Sequence, residues 1–171
     1  MTTAATANLG EIEVLRNNAR TTHMVVHRNV DGLTQQDSLV QPSPGGNCLN
    51  WVVGHLVCVY DEMLPLLGQK PVMSPGALKR YARGTPPLQN SDEALQLSEL
   101  LAAWDEATNR VDAGLAGLSP QTLDARAPVS PTNNPDETVR LLLAIVSFHQ
   151  AYHAGQTGLL RRIAGKKGAI A

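Results

Sequence analysis

Two histidines lie one helical turn apart near the end of the chain. They are His149 and His153, within the segment FHQAYHAGQT. In an α-helix, residues four apart differ by ~40° around the axis and ~6 Å along it, so both imidazoles can bind one ion. The preceding residues, LLLAIVSF, are apolar, which predicts that the middle of this helix is buried. Because an unpaired polar group costs roughly 1 to 3 kcal/mol there, the two rings need partners.

A third imidazole occurs in a similar setting. His55 lies within WVVGHLVCVY, again among large apolar residues. Zinc sites normally use three or four protein ligands, so the pair by itself is weak support for a metal and the third histidine strengthens it. Three histidines leave a coordination position open for water or substrate, as in catalytic sites. The alternative is that hydrogen bonds simply satisfy each ring.

Helical spacing places four other side chains near these histidines. Tyr152 and Gln156 each follow one of the paired histidines by three positions, so either can orient an imidazole or contact a ligand. Cys58 and Glu62 follow His55 by three and seven positions, and either could supply a fourth ligand. The alternative is that Cys58 is a small buried hydrophobic residue and that Glu62 forms an ion pair.

Three glycines accompany the histidines in these two helical segments. Gly54, Gly155 and Gly158 each carry a penalty of about 1 kcal/mol relative to alanine within a helix. Such residues are typical of places where another helix or a substrate approaches the backbone closely. We therefore predict a close approach at each of them.

A second pair of histidines has the same spacing. His23 and His27 lie in TTHMVVHRN, where asparagine, arginine and threonine are frequent. This polar setting favours a solvated or edge position for the pair over a role in the main metal site.

Apolar periodicity predicts four long helices that position these residues. We expect them at about Asn8 to Val30, at about Asn47 to Leu67 with Asn47 as N-cap, at Ser91 to about Gly117, and from Asp136 and Glu137 into a basic C-terminal stretch. The chain has no clear strand pattern, so the predicted class is all-α, a four-helix bundle.

A long connection joins the second and third predicted helices. Residues 68–90 contain four prolines and three glycines, with one helical turn expected at 76–83. A connection of this length can cross the end of a bundle or shield a site.

Composition limits the classes of function. The chain has 171 residues, 43% of them hydrophobic and 17% charged, which predicts one folded domain over residues 1–171. The net charge of −1 argues against a nucleic-acid partner or an anionic membrane surface.

There is no apolar run of ~18 residues and no signal-peptide pattern, so we expect no membrane partner and a cytoplasmic location. Cys48 and Cys58 are expected to be reduced thiols.

Three segments together resemble the DinB/YfiT-like superfamily. They are DGLTQQDSLVQPSPGGN, NWVVGHLVCVYDEM and FHQAYHAGQTGLLRRIAG, and their order spans nearly the whole chain. The resemblance implies an up-down-down-up bundle in which His55, His149 and His153 hold a divalent metal, zinc or nickel. Characterised members are thiol-dependent: a mycothiol-dependent maleylpyruvate isomerase, and transferases that join bacillithiol or mycothiol to electrophiles.

The resemblance therefore implies a metal-dependent thiol transferase or thiol-dependent isomerase. Its expected partners are a metal ion, a low-molecular-weight thiol and a small electrophile, and a homodimer is the expected assembly. One alternative is a hydrolase, since a metal can lower the pKa of bound water toward ~7. A second is a metal-stabilised stress-response or binding module without turnover, and a third is a plain helical bundle that dimerises through an apolar face.

Overall fold

The computed structural model describes residues 3–74, 76–88 and 91–170. Four long helices dominate this part of the chain, with two short helices and three 3₁₀ turns between them. The helices are α1 Thr3–Val30, α2 Gln35–Ser38, α3 Leu49–Met63, α4 Leu97–Ala116, α5 Pro120–Asp124 and α6 Val139–Ile163, and the 3₁₀ turns are Leu64–Leu67, Lys79–Tyr81 and Ser91–Glu93. No strand occurs among the described residues, where Arg126 and Thr138 form an isolated β-bridge. The predicted all-α class is confirmed.

The four long helices pack in a ring. α1 contacts α4 and α6, and α3 contacts the same two helices, so the order around the ring is α1, α4, α3, α6. α3 is the most deeply placed, because every residue from Leu49 to Cys58 is buried. In the core, the Trp104 ring of α4 stacks on the Tyr60 ring of α3 with centroids 5.0 Å apart. None of the described helices is long and apolar enough to cross a membrane.

The second and fourth long helices, α3 and α6, begin later than the local sequence signals predict. α3 starts after Cys48, which is the N-cap without a side-chain hydrogen bond, so the predicted cap at Asn47 is wrong. Similarly, α6 starts after Thr138, whose hydroxyl accepts from the Leu141 amide. Glu137 does not serve the start of this helix. It is buried in the preceding loop, where its carboxylate accepts from the hydroxyls of Ser130 and Thr132.

The third long helix, α4, also begins later than predicted, and a residue distant in the sequence caps it. Ser91 starts a 3₁₀ turn, and α4 itself begins at Leu97. The amide of Leu97 donates to the Gln35 side-chain oxygen over 2.6 Å, and the Gln35 amide donates to the Leu95 carbonyl. This tertiary cap lies at Leu97, six residues after the helix start that we predicted at Ser91.

The connection between α3 and α4 is anchored through Tyr81. This residue is fully buried at the end of the 3₁₀ turn Lys79–Tyr81, which lies within the predicted turn at 76–83. Its hydroxyl donates to Asn50 in α3 over 3.0 Å and accepts from the Leu95 amide over 2.7 Å. The Trp51 indole of α3 donates to the Arg80 carbonyl over 3.2 Å. The connection is therefore fixed against α3 beside His55.

Two of the three predicted close approaches at glycines are present. A Cβ added at Gly54 would lie 2.2 Å from Cδ1 of Tyr81, and one at Gly158 would lie 3.2 Å from the Asn29 amide nitrogen. No neighbouring helix approaches Gly155, where an added Cβ would meet nothing within 4 Å beyond the backbone of its own helix. Gly155 therefore has no packing requirement in this structure. A substrate contact at Gly155 stays a prediction.

We predict that Gly54→Ala destabilises the fold by roughly 1 to 3 kcal/mol, because the added methyl overlaps a buried ring that hydrogen bonds hold in place. Chemical denaturation at neutral pH measures the change. The matched control is Gly155→Ala, which should be neutral or stabilise by up to about 1 kcal/mol through helix propensity. Equal stabilities for the two variants would contradict the packing argument.

Candidate metal centre

α3 and α6 bring His55, His149 and His153 together. The ring centroids of His149 and His153 are 4.4 Å apart, and that of His55 lies 5.1 Å from the first and 4.9 Å from the second. One potential ligand atom from each histidine lies within 4.8 Å of the other two. These three residues can therefore hold a metal ion.

One pair of ring nitrogens already has a suitable separation. Nε2 of His55 and Nε2 of His149 are 3.2 Å apart. Two nitrogens bound to a tetrahedral ion at about 2.0 to 2.1 Å lie roughly 3.3 Å from each other. Three imidazoles are a donor set that suits zinc, nickel, iron or cobalt. The residues present thus fit a divalent transition metal.

Hydrogen bonds at the far side of two rings orient them. Nδ1 of His55 lies 2.7 Å from the Tyr81 carbonyl, which only accepts, so this nitrogen carries the proton. Nδ1 of His153 similarly faces the Gln156 side-chain oxygen over 2.7 Å, while the Gln156 amide donates to the Tyr152 hydroxyl over 3.4 Å. In the neutral rings, Nε2 of both histidines is left with a lone pair for an ion. Such outer partners commonly set the tautomer of a metal ligand.

Burial keeps the three imidazoles uncharged at neutral pH. His55 is only 4% exposed, and the Trp51 ring stacks on it with centroids 4.7 Å apart. Burial lowers the pKa of His55 and of His153, and it lowers the pKa of His149 to about 4, with a further contribution from the two neighbouring rings. Neutral imidazole is the form that binds a metal.

A cavity of about 800 Å³ opens onto the histidines. This volume lies within the range of roughly 300 to 1,000 Å³ that is typical of ligand sites. The connection between α3 and α4 contributes Arg83 and Gly84 to the wall, so it lies beside the site, which is one of the two placements that its length allows. The remaining wall comes from the segment before α3, from α3 and α6, and from the loop before α6: Pro42, Gly45, Gly46, Asn47, Trp51, Val52, Pro131, Thr132, Ile145, Phe148, Tyr152, Gln156, Leu159, Leu160 and Ile163.

The two candidates for a fourth ligand lie outside this cluster. Cys58 and Glu62 are not members of the histidine group, and the Cys58 thiol instead faces the Glu62 carboxylate over 3.7 Å. Burial raises the pKa of Cys58 to about 12, with a smaller effect from Glu62. Cys58 is therefore a protonated thiol at neutral pH, which is the poorer form for binding a metal. Both cysteines are free and buried.

The sequence reasoning missed two kinds of partner at the histidines. The Tyr81 carbonyl that orients His55 belongs to the backbone of a distant turn, so no residue type marks it. Asp105 of α4 lies within hydrogen-bonding distance of both His23 and His27, which places this pair in a cluster of its own. The sequence shows an acidic residue, Asp105, in the third long helix. Only the packing of α4 against α1 shows that this residue faces the histidine pair.

The chain is similar to a known protein family and to a solved structure. The DinB superfamily profile matches residues 18–157. The chain belongs to the DinB superfamily. A crystal structure of a conserved protein from Enterococcus faecalis is similar to this DinB-superfamily chain with a TM-score of 0.70 and 16% identity, and the alignment covers 90% of this chain and 97% of that chain. At that identity the likeness shows the fold. No match was found among the curated proteins.

We predict that the metal-free DinB-superfamily protein loses stability as the pH falls below about 6.5. An imidazole in the unfolded chain takes up a proton near pH 6.5, whereas that of His149 in the folded chain does so only near pH 4. The unfolded state therefore binds more protons across this window, and acid favours unfolding.

Urea denaturation of the chelator-treated protein at pH 7 and pH 5 measures this dependence. His149→Gln removes one depressed imidazole and should reduce the loss between the two pH values. An identical loss in the variant and the wild type would show that His149 does not titrate as described.

Proposed function

We propose that this chain binds a divalent metal through His55, His149 and His153 and acts as a metal-dependent thiol transferase or thiol-dependent isomerase. The observation that supports this proposal is the convergence of three neutral imidazoles at a cavity of about 800 Å³. When bound there, a divalent ion supplies a Lewis acid that favours the deprotonated form of a thiol near neutral pH.

The protein's own groups have distinct roles in this proposal. The Tyr81 carbonyl and the Gln156 amide hold two ligand rings in position through their Nδ1 atoms. Trp51 covers one face of His55 and limits the access of water to it. Arg83 lines the same cavity, where its positive charge would attract an anionic sulfur or a carboxylate of the substrate.

Two features favour catalysis over a structural metal. Structural zinc sites are usually closed by four protein ligands, whereas the described part of the chain brings three to this cluster. The cluster also faces a cavity rather than a sealed core. The volume favours thiol transfer over simple hydrolysis, because the cavity lies near the upper end of the usual range and has room for a thiol together with an electrophile.

The expected metal, thiol, helix order, location and assembly of the protein complete this proposal. We expect zinc or nickel as the metal, mycothiol or bacillithiol as the thiol, and an up-down-down-up order of the four long helices. A cytoplasmic location fits the two free, buried cysteines. A homodimer would cover the exposed apolar side chains of α6, among which Phe148 is 73% exposed.

We predict that replacing any one of His55, His149 or His153 by alanine weakens metal binding by more than about 100-fold, because loss of a direct ligand exceeds the 10- to 100-fold typical of outer partners. Gln156→Ala, which removes an orienting partner, should fall within that smaller range. Titration calorimetry with zinc or nickel, together with elemental analysis, measures both effects.

Cys58→Ser is the matched control for this series. It changes a side chain on the same helix as His55 that lies outside the histidine cluster, so the metal content should be unchanged. Unaltered binding after each of the three histidine substitutions would overturn the proposed site.

We predict that the zinc- or nickel-loaded protein accelerates the reaction of mycothiol or bacillithiol with 1-chloro-2,4-dinitrobenzene, in which the thiolate forms the C–S bond, chloride leaves and the thiol proton is released to solvent. Chelation should abolish the reaction while circular dichroism still reports a helical protein. If chelation unfolds the chain, a structural metal is indicated. If the loaded protein instead cleaves an activated ester with no thiol present, the hydrolase alternative is correct.

A further inference from the structure

A second cluster of potential ligands lies between α1 and α4. Nε2 of His23 lies 2.7 Å from Oδ1 of Asp105, and Nε2 of His27 lies 2.5 Å from the same oxygen. The ring centroids of the two histidines are 4.5 Å apart. Ligand atoms from all three residues lie within 4.8 Å of one another. The first helix thus presents an imidazole pair that faces a carboxylate of the third long helix.

The protein core holds this cluster in place. Trp104 precedes Asp105, is fully buried, and stacks its ring on that of Tyr60. The His23 ring lies over the same indole, with centroids 6.1 Å apart and an interplanar angle of 24°. Val26, between the two histidines in the sequence, is also fully buried, so this stretch of α1 is packed into the bundle. The three ligands are therefore supported by fixed helices and not by a mobile loop.

We propose that His23, His27 and Asp105 form a second metal site, which takes a divalent first-row transition ion. Two imidazole nitrogens and one carboxylate oxygen are the donor set of the facial triad that binds such ions. Magnesium and calcium prefer sites built of oxygen ligands, so they are poorer candidates. The three side chains are 31%, 37% and 47% exposed, which leaves the remaining coordination positions to water or a small ligand.

This site is separate from the histidine triad. The triad joins α3 to α6, whereas the second cluster joins α1 to α4, and these two interfaces lie on opposite sides of the helical ring. Loss of one site should therefore leave the other intact. The second site does not depend on the function proposed for the first.

A purely hydrogen-bonded cluster is the competing explanation. The single Asp105 oxygen can accept from both imidazoles, provided that each carries its proton on Nε2. Metal binding through both Nε2 atoms would require each ring to carry its proton on Nδ1 instead, and nitrogen–oxygen separations of roughly 3.0 to 3.4 Å, given bonds of about 2.1 Å. The observed 2.5 and 2.7 Å need to widen by less than 1 Å. A rotation of the half-exposed Asp105 side chain supplies that change.

Cobalt(II) titration of the full-length variant His149→Gln/His153→Gln tests the proposal, because this variant lacks the ligands that α6 gives to the first site. We expect one equivalent of cobalt to remain bound, with perturbed imidazole NMR signals of His23 and His27. Adding Asp105→Asn should weaken this binding by more than about tenfold. Asp112→Asn is the matched control, because Asp112 lies on the same helix but pairs with Arg16 and Arg20. It should leave the affinity unchanged.

A second measurement covers the case in which the double variant does not fold. The wild-type protein should bind cobalt at this cluster, as the imidazole NMR signals of His23 and His27 report, and the single variant Asp105→Asn should bind it there more than about tenfold more weakly. The absence of cobalt binding at this cluster, or binding that Asp105→Asn leaves unaltered, would overturn the proposal and leave a hydrogen-bonded cluster only.

Discussion

The contact between Tyr81 and the backbone of α3 at Gly54 is the constraint on which the histidine centre depends. The ring occupies the space that any side chain at position 54 would need. In this position the Tyr81 carbonyl accepts from Nδ1 of the adjacent His55. A helix penalty of about 1 kcal/mol at the glycine thus accompanies the anchoring of a long connection and the orientation of the His55 ring.

Burial has opposite consequences for the fold and for the site. An imidazole removed from water is harder to protonate, which makes the folded protein sensitive to acid. The same effect keeps His55, His149 and His153 in the neutral form that a metal requires. The packing therefore leaves three neutral imidazoles that could bind a cation, and Tyr81 and Gln156 orient two of the rings through their Nδ1 atoms.

The two histidine pairs show how the same spacing acquires different surroundings. His149 and His153 meet a third imidazole and a large cavity, whereas His23 and His27 meet a carboxylate at a half-exposed interface. The first environment contains nitrogen donors without charge, and the second adds a negative charge. The difference comes from the helix that lies opposite each pair, since the local spacing is the same.

The sequence by itself determined the features that depend on neighbours along the chain. The four long helices and the placement of each histidine pair on one helical face follow from the period of the α-helix. The resemblance to the superfamily motifs implied that His55 meets the α6 pair, and the structure brings these rings together. Only the tertiary structure decided that Tyr81 meets His55 and that Asp105 meets His27. It also decided where α4 begins, because Gln35 supplies the cap from more than sixty positions away. Local periodicity carries no information about such partners, since their contacts arise when helices pack across the ring.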